Sequence, residues 1–147
     1  MEQTKAHGYD LGMKFIKTYL LTAIPFLVID AVWLGFIITD FFKANIGHLM
    51  ADTVNFPVAA GFYLLYAVGI VFFAVKPALD KSCIKTAFIK GALFGFFCYG
   101  TYDMTNLATL KDWPAIVAVV DITWGTILTG TSALIGYTLT KKLTNSL

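Results

Sequence analysis

Three aspartates stand inside apolar runs. Asp30 lies in V-I-D-A-V-W (28–33) and Asp121 in V-V-D-I-T-W (119–124), each three residues ahead of a tryptophan, while Asp103 closes Y-G-T-Y-D (99–103). An aspartate near the centre of a membrane-crossing helix costs about 2.5–3.5 kcal/mol, so each position needs a reason. Three carboxyls in a low dielectric cannot all ionise without a counter-charge. Such a set supports three kinds of chemistry. A protonated acid serves as general acid or base; a group of oxygens holds Mg²⁺ or Ca²⁺, although no motif selects a metal; or the acids receive a cationic or hydroxyl-bearing ligand. Asp30, Asp103 and Asp121 are therefore the candidate catalytic or cation-holding residues.

Other residues recur around them. Tyr63 and Tyr66, and again Tyr99 and Tyr102, are three apart, which sets both rings of each pair on one helix face. Asn106 follows Asp103 by three residues, and Asp103-Met-Thr-Asn106 has the D-x-x-[DN] spacing of some diphosphate–magnesium sites. One copy without basic partners makes that a weak signal. The tyrosine pairs and Asn106 are read as ligand-orienting residues and Trp33 and Trp124 as walls. His48, in a loop, could swing over the site, though a loop histidine is ordinarily surface. The plain structural alternative is that the acids tie helices together. Intramembrane hydrogen bonds contribute only about 0.6–2 kcal/mol, and Ser or Asn would supply them as well.

The elements that position these residues are membrane spans. The sequence is 58% hydrophobic and only 14% charged, with mean hydropathy +0.73, whereas soluble domains are roughly one quarter charged. Four segments, 15–39, 57–76, 87–110 and 115–139, meet the roughly 20-residue requirement for crossing a bilayer. The fold class is therefore all-α, a four-helix transmembrane bundle. Pro57, Pro77 and Pro114 fall at span edges, and Pro25 lies inside the first span, where a kink is expected. The basic residues are all lysine. Nine (Lys5, Lys14, Lys17, Lys76, Lys81, Lys85, Lys90, Lys141 and Lys142) fall on the side of the termini, against Lys43 and Lys111 opposite. The positive-inside rule places both termini in the cytoplasm.

Counting about 1.5 Å per residue from the span ends puts Asp30 roughly 22 Å and Asp103 roughly 24 Å up a core about 30 Å thick. Asp121 comes out roughly 9 Å, and the Tyr63–Tyr66 pair roughly 9–14 Å, below the far boundary. One outer-half layer thus collects the polar side chains. Below it, Gly91 and Gly95 on span three allow close helix approach. Span four carries a small and polar face of Asp121, Gly125, Thr129 and Ser132, which must point inward because lipid cannot satisfy its hydrogen bonds. The matches run span one to four and two to three, so they reflect convergence on one site rather than tandem duplication.

Several classes are excluded. A net charge of +2 without arginine does not fit a nucleic-acid binder. Cys83 and Cys98 form no metal or disulfide pattern, and Cys98 reads as a small hydrophobe. The first apolar run, about 25 residues, is too long for a signal peptide. Residues 1–12 read as a disordered tail, with Met13 an alternative start. The segment 41–56 is either a short surface helix or a plain loop. Trp113 and Pro114 read as an interfacial anchor and a helix start.

Several stretches together resemble a family of small bacterial four-helix membrane proteins of unknown function. They are F-L-V-I-D-A-V-W-L-G (26–35), G-H-L-M-A-D (47–52), F-Y-L-L-Y-A-V-G (62–69), F-A-V-K-P-A-L (73–79), Y-G-T-Y-D-M-T-N-L-A-T-L-K-D-W-P (99–114) and V-V-D-I-T-W-G (119–125). The resemblance covers Met13 to Thr140 and implies a multi-pass protein of the bacterial inner membrane, without catalytic residues to carry over. It also implies genes near lipid-modifying enzymes, including cyclopropane-fatty-acid-synthase-like methyltransferases and flavin-dependent oxidoreductases. The expected function is to bind, modify or present a lipid-like substrate in an outer-half chamber. The alternatives are a proton- or cation-coupled transporter or channel, or a non-catalytic subunit of a membrane complex. Expected partners are membrane lipid, a second copy of the chain or a lipid-modifying enzyme.

Overall fold

The computed structural model describes residues 2–145; side chains of residues 1–11 lie outside the described set. Helix α1 spans Glu2–Val32, taking in the stretch where a tail is expected, and passes through Pro25. It continues as a π-helical turn, Trp33–Ile37, and after Ile38 the short α2 (Thr39–Ile46) turns across the end of the molecule. Helix α3 is Phe56–Ile70, followed by a second π turn, Val71–Val75, and α4, Lys76–Asp80. Helices α5 (Ile84–Thr109) and α6 (Ala115–Asn145) complete the chain, and the described residues contain no strand.

Local chemistry sets these boundaries. Asn55 caps α3, its side-chain oxygen accepting from the Val58 N–H at 3.3 Å, with Pro57 in the first turn where no donor is needed. Pro77 removes the donor that the Phe73 carbonyl would use, and the π turn before it relaxes that conflict. Ser82 takes a left-handed φ of 48°, and its N–H donates to the Leu79 carbonyl at 3.0 Å, closing α4. After a second left-handed residue, Asp112, α6 starts behind Pro114, whose carbonyl accepts from Val117 N–H at 3.0 Å. The segment 41–56 resolves into the end of α2, a 3₁₀ turn at Gly47–Leu49 and a loop.

Three helical segments are long and apolar enough to cross a membrane: Gly12–Ile37, Phe56–Asp80 and Ala115–Asn145. Helix α5 is long enough, but Lys85, Lys90, Asp103 and its small polar residues dilute its hydropathy. The buried–exposed pattern is inverted relative to a soluble bundle. Phe36, Phe56, Val58, Leu65 and Phe97 face outward, while α6 buries Gly125, Thr129, Gly130, Ser132, Ala133 and Gly136. Small residues inside let the helices approach closely, which is how membrane helices gain packing when lipid is as apolar as their side chains.

The tightest seam joins α5 to α6. Gly91 lies against Thr129, Gly130 and Ala133, and Gly95 against Gly125 and Thr129. On the other flank of α6, Gly136 admits Thr22 of α1. The lower half of the second rod, Val71–Val75, packs on α5, with Phe73 and Phe94 rings 5.2 Å apart. Above that level α3 leans on α1 rather than following α5. The divergence of α3 from α5 leaves the space described next.

Candidate functional site

The antiparallel α5–α6 register dictates where the acids meet. With Gly95 on Gly125 and Gly91 on Thr129, one further turn of α5 carries Tyr99 onto Gly125, and the next brings Asp103 beside Asp121. Asp103 is fully buried, and neither of its oxygens has a hydrogen-bond donor. Its carboxyl lies beside that of Asp121, which is only partly buried. Two neighbouring carboxyls in a low dielectric disfavour a second negative charge.

Asp30 approaches from α1. It is 2% exposed, and its Oδ1 accepts from the Trp124 indole N–H at 2.9 Å, while Oδ2 has no partner. The Tyr63 hydroxyl lies beside this carboxyl. Trp33, a turn above Asp30, stacks on Trp124 with ring centroids 4.0 Å apart and planes 8° from parallel. The two D-x-x-W stretches thus interlock: the tryptophan of one binds the aspartate of the other, and the two rings stack. A hydrogen bond and a stacked pair contribute roughly 1 kcal/mol each. This part of the arrangement is structural as well as chemical.

Next to this lock is a cavity of about 460 Å³. Asp30 and Asp121 line it, with Tyr63 and Tyr66 from α3, Tyr99 and Tyr102 from α5, and Trp124 from α6. Its floor is aromatic: Phe26 packs edge-on to Tyr63 at 5.8 Å, and Tyr66 lies 5.2 Å from Phe94. Tyr66 also shares a 2.9 Å hydrogen bond with Thr129. Phe42 and Ile46 of α2 and Trp113 line the end nearest the loops. Its α3 and α5 walls bear Phe62 and Tyr102, which are 62% and 56% exposed on the outside of the bundle.

Of the residues singled out in the sequence, Asp30, Asp121, Tyr63, Tyr66, Tyr99, Tyr102 and Trp124 come together around this cavity. Asp103 sits behind Asp121, and Trp33 backs Trp124 rather than facing the space. Asn106 lies beside the Tyr102 hydroxyl one turn away, outside the lining. His48 is exposed on the Gly47–Leu49 turn and does not reach the cavity. Among the described residues no three His, Cys, Asp or Glu side chains assemble as a metal-binding group.

Other lining residues escaped the sequence reading. Trp113 is not an exposed interfacial anchor; it is buried, 5.8 Å edge-on from Tyr102, with its N–H unpartnered. Cys98 packs against the core as the small hydrophobe expected, and is half-buried in the wall as well. A periodic signal was present: Trp113, Val117, Asp121 and Trp124 recur at steps of four, four and three and form one stripe. Phe42 and Ile46 carry no such signal, since only the fold of α2 over the bundle end brings them in.

A sequence model of a protein family, described as Predicted membrane protein (DUF2177), matches residues 15–138. That range takes in α2 to α5, most of α6, the membrane-crossing part of α1 and every residue lining the cavity. No curated protein and no solved structure matches the chain. The match spans well over half the sequence, and this chain therefore belongs to the DUF2177 family of predicted membrane proteins.

Proposed function

We propose that the protein crosses the membrane four times with both termini in the cytoplasm, and that its chamber binds a lipid-like amphiphile in the outer half of the bilayer. Helix α5 is the fourth span: it is 26 residues long, and its polar face is spent on α6. At about 1.5 Å per residue it reaches across a core of about 30 Å. Cys83, in the loop between α4 and α5, reports the orientation. In intact bacterial cells expressing the Cys98→Ser variant, a membrane-impermeant maleimide is expected to leave it unlabelled, and permeabilised cells are expected to label it fully. Labelling of intact cells would reverse the topology.

The observation that carries the lipid reading is the divergence of α3 from α5 beside an aromatic, acid-bearing cavity. Its flanks bear Phe62 and Tyr102, exposed where a bilayer would be, while α2 and Trp113 line the end toward the loops. A ligand entering sideways meets apolar rings first and the carboxyls of Asp30 and Asp121 last, the order in which an amphiphile is best accommodated. The acids would hold its head, and a protonated member of the Asp103–Asp121 pair could donate to it. A transporter reading is weaker, because the floor below the acids is closed by Phe26, Tyr66, Phe94 and the α5–α6 glycine seam.

The test is mass spectrometry of molecules retained by the purified protein, alongside lipid analysis of a deletion strain. Cys98→Trp fills the chamber and is expected to lower the retained amphiphile by about ten-fold or more, equivalent to about 1.4 kcal/mol. The variant's melting midpoint should stay at or above that of the wild type, since a void is filled. A protein that retains nothing, together with an unchanged lipid profile, would overturn the reading.

A further inference from the structure

Two buried polar atoms of the chamber's lining residues lack partners. Asp30 uses one carboxyl oxygen on Trp124, its Oδ2 is closed off beside the Tyr63 hydroxyl without a hydrogen bond, and the buried indole N–H of Trp113 has no acceptor. An unmet buried donor or acceptor costs about 1–3 kcal/mol, so native structures leave few of them. Here one is an acceptor, the other is a donor, and both belong to walls of one space. That pattern fits a bound head that donates to Asp30 and accepts from Trp113.

Charge narrows the chemistry further. The lining contains two acids and no lysine. Its other polar groups are the tyrosine hydroxyls, the Cys98 thiol and the Trp113 and Trp124 indoles, none of which carries a positive charge to neutralise an anion. A phosphate head would meet Asp30 and Asp121 with like charge in a low dielectric, where repulsion is strongest. We propose, resting on the lipid-binding reading above, that the chamber selects a head bearing O–H or N–H donors and no negative charge, a hydroxyl- or amine-headed lipid, and rejects phosphate-headed ones. An O–H or N–H of the head meets the Asp121 carboxyl, which is only partly buried, and a small shift of the wall gives it Asp30 Oδ2, while a hydroxyl oxygen or carbonyl of the ligand accepts from Trp113.

Cys98 lies in the wall and supplies the readout. The protein, with Cys83→Ser, is placed in phosphatidylcholine nanodiscs, whose own head has a phosphate and no O–H or N–H donor. The rate of Cys98 alkylation by N-ethylmaleimide is then followed with three probes of one chain length: monododecylglycerol, dodecylamine and dodecyl phosphate. The glyceryl and amine probes are expected to slow alkylation about ten-fold at concentrations where the phosphate leaves it unchanged, a preference of about 1.4 kcal/mol. Asp30→Asn should abolish most of the amine protection, its melting midpoint serving as the check on folding. Equal or better protection by dodecyl phosphate would overturn the head assignment while leaving an amphiphile chamber standing. Protection by none of the three would overturn both.

Discussion

Gly95→Ala is expected to destabilise the protein, whereas Gly100→Ala, five residues along the same helix, is expected to leave it unchanged or stabilise it. Both substitutions gain the same helix propensity, about 1 kcal/mol in favour of alanine. They differ in what the new methyl meets. At Gly100 nothing lies within 4 Å. At Gly95 the methyl would strike the Gly125 carbonyl oxygen and come within 2.8 Å of the Thr129 side chain. A backbone carbonyl inside a helix cannot step aside, so α5 and α6 must separate along their tightest seam. Overpacking of this kind costs about 1–3 kcal/mol, enough to reverse the propensity gain. Thermal unfolding of both variants in one detergent checks the sign, and equal midpoints would show that the seam yields to an added methyl. Gly125→Ala is expected to destabilise as well, because its methyl would strike Tyr99 at Cγ, the root of the ring, where the side chain cannot simply swing aside.

The same seam explains how much of the site could be read from sequence. The acids converge because Asp30, Asp103 and Asp121 share a depth along their helices, and depth is a count of residues. The glycine face on α5 was legible for a similar reason: periodicity of three and four is a property of one helix. Which partner a side chain chooses is a property of two helices and their rotation. Asp30 could have faced Asp103 or Asn106; it meets the Trp124 indole instead, with the Tyr63 hydroxyl beside it. Trp113 was misread for the same cause. A tryptophan ahead of a proline at a span end has the composition of an interfacial anchor, and only the bend at Asp112 carries it inward over Tyr102.

Asp103→Asn is expected to raise stability and abolish function, and the two results together separate a chemical role from helix-tying. Asp103 is wholly buried beside Asp121, with no donor on either of its oxygens. If the pair existed to tie α5 to α6, natural packing would place a donor opposite an acceptor, as Thr129 is placed opposite Tyr66. It places acceptor opposite acceptor instead. Asparagine at 103 keeps the shape and supplies an N–H toward Asp121, so a neutral–charged hydrogen bond replaces two acceptors set against each other. Hydrogen bonds to charged groups contribute about 1.5–3 kcal/mol, which should raise the melting midpoint measurably. The same change removes the exchangeable proton one residue behind the chamber wall, so the variant should fail to restore the lipid profile of a deletion strain. Stability given up at a site that must stay reactive is a recurrent trade in proteins. A variant that is both less stable and fully competent would make Asp103 a structural residue and leave Asp30 and Asp121 as the chamber's only working acids.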